Sequence, residues 1–456
     1  MTDAAFRPRF TAPLLLGVVL NPVNSSLLAT ALAGIGADFH RGPGAAASLI
    51  SVLYLCCAVA QPTMGKAAAV LGERRVFVAG LLILLLGGVI GTTAPVFELL
   101  VVSRALIGIG TSAAYPTAMA LVRRRADKFG TGVPNRVLGN FAIAGQVIAV
   151  LGLPIGGVLT GVFGWRAVFF VNVPMVAVAL PLVWFGVPRD GPSVVAGGRI
   201  GGLLRAVDIP GIALFAATVV ALLLFVSGVR HPVWWLAVLA CGAMVALVAW
   251  EQRASSPLID VRMLASHPPL VRTYLRQALG SLGNYLAMYG LSQWMEGAAG
   301  YTAAQVGLLL VPLSALSIVV ARVNSSHGWV RGPLLGTGGA FAAAGALMLG
   351  MDHRSPVALL LLMSLLLGVA DGLSGYANQT SLYVQSPADQ VGVAAGLFRT
   401  FAYFGAIASS SLIGIAFGSR VTDAGFHVIA CVIVGLGGAL VAMTVADRAI
   451  PRTAGV

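Results

Sequence analysis

The chain holds few residues able to do chemistry, and two of them sit where charge is costly. Asp371 lies inside the apolar run from Pro356 to Asn378, and no other acid falls well inside any such run. A carboxylate at mid-membrane depth costs about 2.5–3.5 kcal/mol on insertion scales, so its position marks a functional candidate. From Ser364 through Gly368, Asp371 and Gly375 to Asn378 the steps are four, three, four and three, which places all five on one small, polar helical face. Arg104 repeats the pattern in another run, with Gly108, Thr111 and Tyr115 following at spacings of four, three and four. A guanidinium carries five donors and a permanent charge, so it demands acceptors wherever it is buried. Two readings stand for it. One is a polar anchor beside a cavity that tunes a proton site or holds substrate. The other is a structural bond to the Asn21–Ser26 segment or to backbone carbonyls.

Arg399 is a candidate partner for Asp371, since both lie to the cytoplasmic side of their span centres. Three readings follow: a fixed ion pair that makes two buried charges tolerable, a proton- or cation-binding Asp371 whose titration Arg399 modulates, or an Asp371 that faces a wet cavity. Asn284, Tyr285, Met288, Tyr289, Gln293 and Trp294 share one further run. Aromatics with Met make adaptable apolar walls with polar handles, and the same residues serve packing and an interfacial belt. Enzyme chemistry has no foothold. The chain has no phosphate-binding glycine loop, its six His fall in loops or at span ends, and its four Cys (56, 57, 241, 431) fall inside apolar runs with no disulfide or metal-ligand spacing. No cofactor is expected.

The elements that must position these residues are membrane helices. Of 456 residues 58% are hydrophobic and 9% charged, where a soluble domain carries about 25% charge. Fourteen runs have the length a bilayer crossing needs: six over 11–187, a pair over 208–251 and six over 273–446. An even count puts both termini on one side. If that side is the cytoplasm, inner loops, tails and flanking turns hold 21 of the 28 Lys and Arg, which is the positive-inside asymmetry of an inner-membrane protein. The net charge of +13 is thereby spread over short loops and predicts no nucleic-acid partner. The Gly-rich stretch 188–207 reads as a linker, giving an N-terminal bundle over 1–187, a linker with two extra spans over 188–272, and a C-terminal bundle over 273–456. RALIGIGTSAAY from Arg104 and SLLLGVADGLSG from Ser364 align Gly108 with Gly368 and Thr111 with Asp371. Two parallel six-span halves around a central site are the plan of many secondary transporters.

Four motifs, in order, carry a more specific resemblance. GKAAAVLGERR, from Gly65 through Gly72 to Arg74 and Arg75, resembles the inner loop of the major facilitator superfamily, with Ala69 where an acid is usual. RALIGIG from Arg104 resembles that superfamily's span 4. The Gly/Pro series from Gly145 through Gly152, Pro154, Gly156 and Gly157 resembles the span 5 motif of antiporters. Gly164-Trp165-Arg166 followed by Phe169, Phe170, Asn172 and Pro174 resembles span 6 of the 14-span drug:proton antiporter family, to which the extra pair of spans is also similar. That family often carries an acid in span 1, and this chain has Asn21 in the stretch Leu20–Ser26.

The resemblance implies an all-α polytopic fold of two six-helix bundles and two linker helices, working as a monomer with small-molecule substrate, protons and the lipid bilayer as partners. It implies export of amphipathic, drug-like molecules by proton antiport and alternating access. A narrow metabolite exporter, and a sensor or scaffold that keeps the fold without transport, are the alternatives. On this reading Asp371, Arg399 and Arg104 handle the proton. Asn21, Asn24, Thr111, Tyr115, Asn284, Tyr285, Tyr289 and Asn378 line the cavity. Gly65, Gly72, Arg74, Arg75, Gly152, Pro154, Gly156 and Gly157 serve gating. For the loop cations, pairing with helix C-terminal dipoles stands beside ordinary inner-face charge, and for the glycines a rocking seam stands beside plain helix packing.

Overall fold

A backbone that crosses lipid must satisfy its own N–H and C=O groups, so the apolar runs have one regular structure open to them. The computed structural model, described over residues 6–41, 43–130, 132–191, 207–228, 232–301, 303–418 and 420–453, is helical throughout these runs. In chain order the helices are α1 (Pro8–Asp38), α2 (Pro43–Leu71), α3 (Glu73–Thr93), α4 (Phe97–Ser112), α5 (Ala114–Lys128), α6 (Asn135–Phe163), α7 (Ala167–Phe170), α8 (Asn172–Gly186), α9 (Ile209–Ser227), α10 (Trp234–Glu251), α11 (Val261–Ser266), α12 (Pro268–Gly297), α13 (Ala303–His327), α14 (Arg331–Leu349), α15 (Val357–Gln385), α16 (Val391–Phe417) and α17 (Asp423–Ala446). Two of the boundaries are interruptions inside one run. Ala113 parts α4 from α5 and Val171 parts α7 from α8, and each stands three residues before a proline, Pro116 or Pro174. Proline lacks the N–H that would close the turn before it, so the hydrogen-bond ladder slips there.

Among the described residues twelve stretches are long and apolar enough to cross a membrane, where the sequence reading expects fourteen. The other two runs fold as α6 and α12. Arg272, Arg276, Gln277, Ser281, Asn284 and Gln293 dilute the apolar character of α12. In α6 the side chains of five residues, Pro154 among them, lie outside the described set. So do most of the linker 188–207 and the loop residue Arg230.

The chain forms two compact units. One comprises Met1–Val220, Cys241–Arg262 and Ser386–Thr400, the other Ala221–Ala240, Met263–Gln385 and Phe401–Val456. In the first, α1 lies along α6 and α3 along α4. Gly80 and Gly110 make the α3–α4 approach possible, since a Cβ on either would meet the other's carbonyl oxygen at 2.7 Å. In the second unit α14 lies along α17 through Gly338 and Gly437, which face each other in the same manner. Its core gathers Leu286, Trp294, Phe341, Met363, Phe426 and Ile433, all buried. Trp294 stacks on Phe426 at 4.2 Å and donates its indole N–H to Asp423 at 2.8 Å, so the ring is both packed and satisfied.

At the end of α17 the fully buried Asp447 receives Arg272 and Arg276, one on each carboxylate oxygen, at 2.8 Å. Arg276 is 1% exposed, so its charge has no recourse to water. Asp447→Ala is therefore expected to lower stability by about 3–5 kcal/mol, because one buried charge is stranded. The double variant with Arg276→Leu is expected to recover part of that loss. Thermal unfolding of the purified protein in nanodiscs measures both, and an unchanged Tm in the single variant would show that the pair contributes nothing.

Candidate functional site

In the first unit the polar side chains singled out from the sequence meet at mid-helix. Arg104, 1% exposed on α4, donates from Nε to the carbonyl of Leu49 on α2 at 3.3 Å and from Nη2 to the carbonyl of Asn24 on α1 at 3.2 Å. No carboxylate pairs with it among the described residues. Backbone dipoles thus solvate a buried cation. Asn24 is pinned in turn. Its amide and that of Asn172 on α8 exchange hydrogen bonds at 2.7 and 2.9 Å, and its Nδ2 also reaches Leu20 O at 2.9 Å. A reciprocal amide pair satisfies donors and acceptors at once, which suits a dry interior.

One turn away, Asn21 donates to Thr111 Oγ1 at 3.1 Å and to Cys57 Sγ at 3.0 Å. The thiol donates to the carbonyl of Gly108 at 3.4 Å. Asn21, Cys57 and Thr111 therefore tie α1, α2 and α4 together where relatives of the resembled family often carry an acid. Tyr115, buried on α5, lies beneath the guanidinium of Arg399 at 4.2 Å from the ring centroid. That stacking offsets part of the cost of withdrawing the cation from water.

In the second unit Asp371 is half-buried on α15. Oδ1 accepts from Asn284 Nδ2 of α12 and Oδ2 from Ser317 Oγ of α13, both at 2.6 Å. Small residues bring the helices close enough for this. A Cβ on Gly368 or Gly372 would strike the backbone carbonyl of Leu313 or Ser317, and Ser364 donates to Leu309 O at 2.7 Å. Asp371 and Arg399 belong to different units, and each has partners inside its own. On α12, Tyr285 and Tyr289 stack at 5.7 Å, with Tyr289 41% exposed. Asn378, buried on α15, donates to Ser374 Oγ at 3.1 Å and leaves its Oδ1 without a hydrogen bond. Ser317, Cys57 and Asn172 are the members that residue spacing did not mark out. Nothing in the periodicity of their own helices says which neighbour they will face.

The Gly65–Arg75 loop is built from helix ends. Gly65 abuts the backbone of Gly392, leaving no room for a side chain. Gly72 has φ 106°, which a side chain would strain. Asp190 caps the start of α3, accepting from the backbone N–H of Arg74 at 3.1 Å and of Arg75 at 2.9 Å. Arg74 answers at the end of α8, donating to Trp184 O at 3.0 Å and Val187 O at 3.3 Å and lying 4.9 Å from the Trp184 ring. Arg75 donates to Leu71 O and is exposed. In α6, Gly152 and Gly156 meet Ser26, Leu27 and Thr30 of α1, so this small-residue seam lies within the first unit. Gly157 and Gly161 have no atom of the described residues within 4 Å of a Cβ placed on them. The Pro154 side chain lies outside the described set.

The arrangement holds the Asp371 carboxylate against Asn284 and Ser317, the buried Arg104 against backbone carbonyls and the half-buried Arg399 against an aromatic ring; among the described residues no cluster of His, Cys, Asp and Glu could hold a metal. A Bacillus subtilis protein, the uncharacterized MFS-type transporter YwoD, is 32% identical over the full length of both chains. The tetracenomycin C resistance and export protein of Streptomyces glaucescens is 27% identical over 90% of this chain and 75% of its own. The multidrug efflux pump LfrA of Mycolicibacterium smegmatis is 26% identical over 89% and 80%. Among solved structures, the human organic anion transporter MFSD10 superposes with TM-score 0.67 at 16% identity, covering 95% of this chain and all of that one. The proton:xylose symporter XylE does so with TM-score 0.64 at 13% identity, covering 95% of each. With the model of the Major Facilitator Superfamily matching residues 14–410, this chain belongs to that superfamily of membrane transporters.

Proposed function

We propose that this protein exports small amphipathic molecules across the cytoplasmic membrane, driven by proton re-entry and working by alternating access, as a transporter and not an enzyme. The observation that carries the reading is Asp371, held by Asn284 and Ser317. These two donors are neutral and each can exchange roles. A hydroxyl turns to accept and an amide turns its oxygen inward, so the site accommodates the carboxylate and the carboxylic acid alike. With Asn21 in place of an acid in α1, Asp371 is the carboxylic acid deep in a span. One charge crossing 100 mV supplies about 2.3 kcal/mol, enough for a roughly 50-fold gradient. The export and resistance functions named for the Streptomyces and Mycolicibacterium relatives support the substrate class. Arg104 and Arg399 act in this scheme as fixed charges beside the polar layer, and the aromatic pair Tyr285–Tyr289 as cavity wall.

The topology proposed with it has fourteen crossings, two six-span bundles over 1–187 and 273–456, an extra pair between them and cytoplasmic termini. Two observations support it: α6 and α12 are helices of 29 and 30 residues, and on this topology the inner loops, tails and flanking turns take 21 of the 28 Lys and Arg. Tags at both termini are expected in the cytoplasm and a reporter at Arg230 outside. Termini on opposite faces would refute the even count.

Asp371→Asn is expected to abolish pH-gradient-driven efflux in proteoliposomes, a loss of at least about tenfold, while downhill exchange of the same compound persists. The substrate comes first from an efflux panel in a pump-deficient host, with and without protonophore. Driven transport that survives Asp371→Asn would end the carrier role. Arg104→Ala is expected to eliminate transport with near-normal membrane levels. Arg104→Lys should recover little, because a point charge cannot span the Leu49 and Asn24 carbonyls as the guanidinium fork does.

A further inference from the structure

The extra helix pair carries a second set of buried titratable groups that the transport scheme does not use. Asp208, just before α9, and Glu251, the last residue of α10, are 3% and 4% exposed. Their carboxylates converge over Gly211: a Cβ there would touch oxygens of both. Asp208 Oδ1 accepts from Trp250 Nε1 at 2.8 Å and Gly211 N at 3.2 Å, and Oδ2 from Leu258 N at 3.0 Å. Glu251 Oε1 accepts from Ile259 N at 3.3 Å, and its buried Oε2 has no hydrogen-bond partner. Lys66 of α2 donates to Ser256 Oγ and Pro257 O, both at 2.8 Å. The four residues Ser256–Ile259 thus supply two acceptors to the lysine and two donors to the acids.

Two carboxylates converging in a dry site resist joint ionisation, since each raises the cost of charging the other. Among the described residues, the charged groups felt at the site from the packed elements are Lys66 on α2, Asp208 before α9 and Asp260 in the loop. One lysine cannot neutralise Asp208 and Glu251 together, whereas one lysine and one proton can. A metal ion is a poor substitute, because the groups facing the carboxylates are N–H donors that point positive charge at them. We propose that the Asp208–Glu251 pair binds a proton that keeps the Ser256–Ile259 strap closed on Lys66, forming a pH-sensitive latch between the extra helix pair and α2. The proton sits on Glu251, whose Oε2 is the oxygen without a donor. Its release places a second negative charge beside Asp208, and the strap opens to admit water. The closed latch then binds one more proton than the open one, so its stability holds at low pH and declines as pH rises. Lys66 adjoins Gly65, whose backbone abuts Gly392, so the state of the strap bears on the inner loop. That this end faces the cytoplasm rests on the topology proposed above, and the experiment below does not depend on it.

Amide hydrogen exchange on the full-length protein in nanodiscs, corrected for the intrinsic rate at each pH, reads the strap directly. Protection of Leu258 and Ile259 should fall about tenfold or more between pH 6 and pH 8 in the native sequence. Glu251→Gln should hold the low-pH protection at both values. Lys66→Gln should lose it at both, which keeps a readout if the Glu251 variant folds poorly. Protection independent of pH in the native protein, an unaltered pH response in Glu251→Gln, or native protection in Lys66→Gln would each overturn the latch. So would a loss of protection at fixed pH when sodium is replaced by choline, which would assign the site to a cation instead.

Discussion

Lipid offers no hydrogen-bond partner, and that constraint governs every polar contact described above. A soluble protein can leave an arginine half in water, but Arg104 has none to use. Its charge rests on the carbonyls of Leu49 and Asn24, which already accept within their own helices and have a lone pair to spare. Because two helices must present those carbonyls together, the guanidinium fixes the approach of α1, α2 and α4. The Asn24–Asn172 pair then extends the same constraint to α8. A polar residue inside the membrane is in this sense a packing instruction as well as a chemical group.

Small residues are the other half of that instruction. Gly80 against Gly110, Gly338 against Gly437, and Gly368 and Gly372 against α13 remove the side chains that would hold helices apart. At α15 this has a chemical consequence. Only with α13 at backbone contact can the short Ser317 side chain reach the Asp371 carboxylate at 2.6 Å. A Gly372→Leu change would push the helices apart and take a hydrogen bond from the acid without touching it. The glycines that bring α13 close and the acid that Ser317 reaches are thereby neighbours in one stretch of α15.

Much of this was legible in the sequence, for a definite reason. Apolar run length reports a crossing, and helical period reports which residues share a face, so the helices and the Ser364–Gly368–Asp371 face follow from spacing alone. Arg104 had to find acceptors, and backbone carbonyls were among those foreseen. Period is silent about the opposing surface. Gly152–Gly156 and Gly157–Gly161 have the same spacing, yet the first pair meets α1 and the second meets no described atom. Ser317, Cys57 and Asn172 were invisible as partners on the same ground. Depth does not fix direction either, so the stacking of Arg399 on Tyr115 could not be read from position. Composition marks α12 less plainly than the other runs, because it mixes apolar residues with polar ones.

The helix ends show how similar tasks are met by different chemistry in the two units. The inner loop lacks an acid at Ala69, and the carboxylate that touches its arginine pair comes from Asp190, beyond the end of α8. Asp190 takes backbone N–H groups while Arg74 takes the last carbonyls of α8, so each helix end is capped by a residue from the other helix. Beyond the end of α17, Asp447 also reaches back, but to the guanidiniums of Arg272 and Arg276. The first lock opposes side-chain charge to peptide dipoles at partly open helix termini; the second opposes full charges in a dry site. Dipole contacts cost little to break where water can replace them, whereas separating a buried ion pair leaves charge with nowhere to go. Within its own unit, the Asp447 contact is therefore the costlier kind to separate.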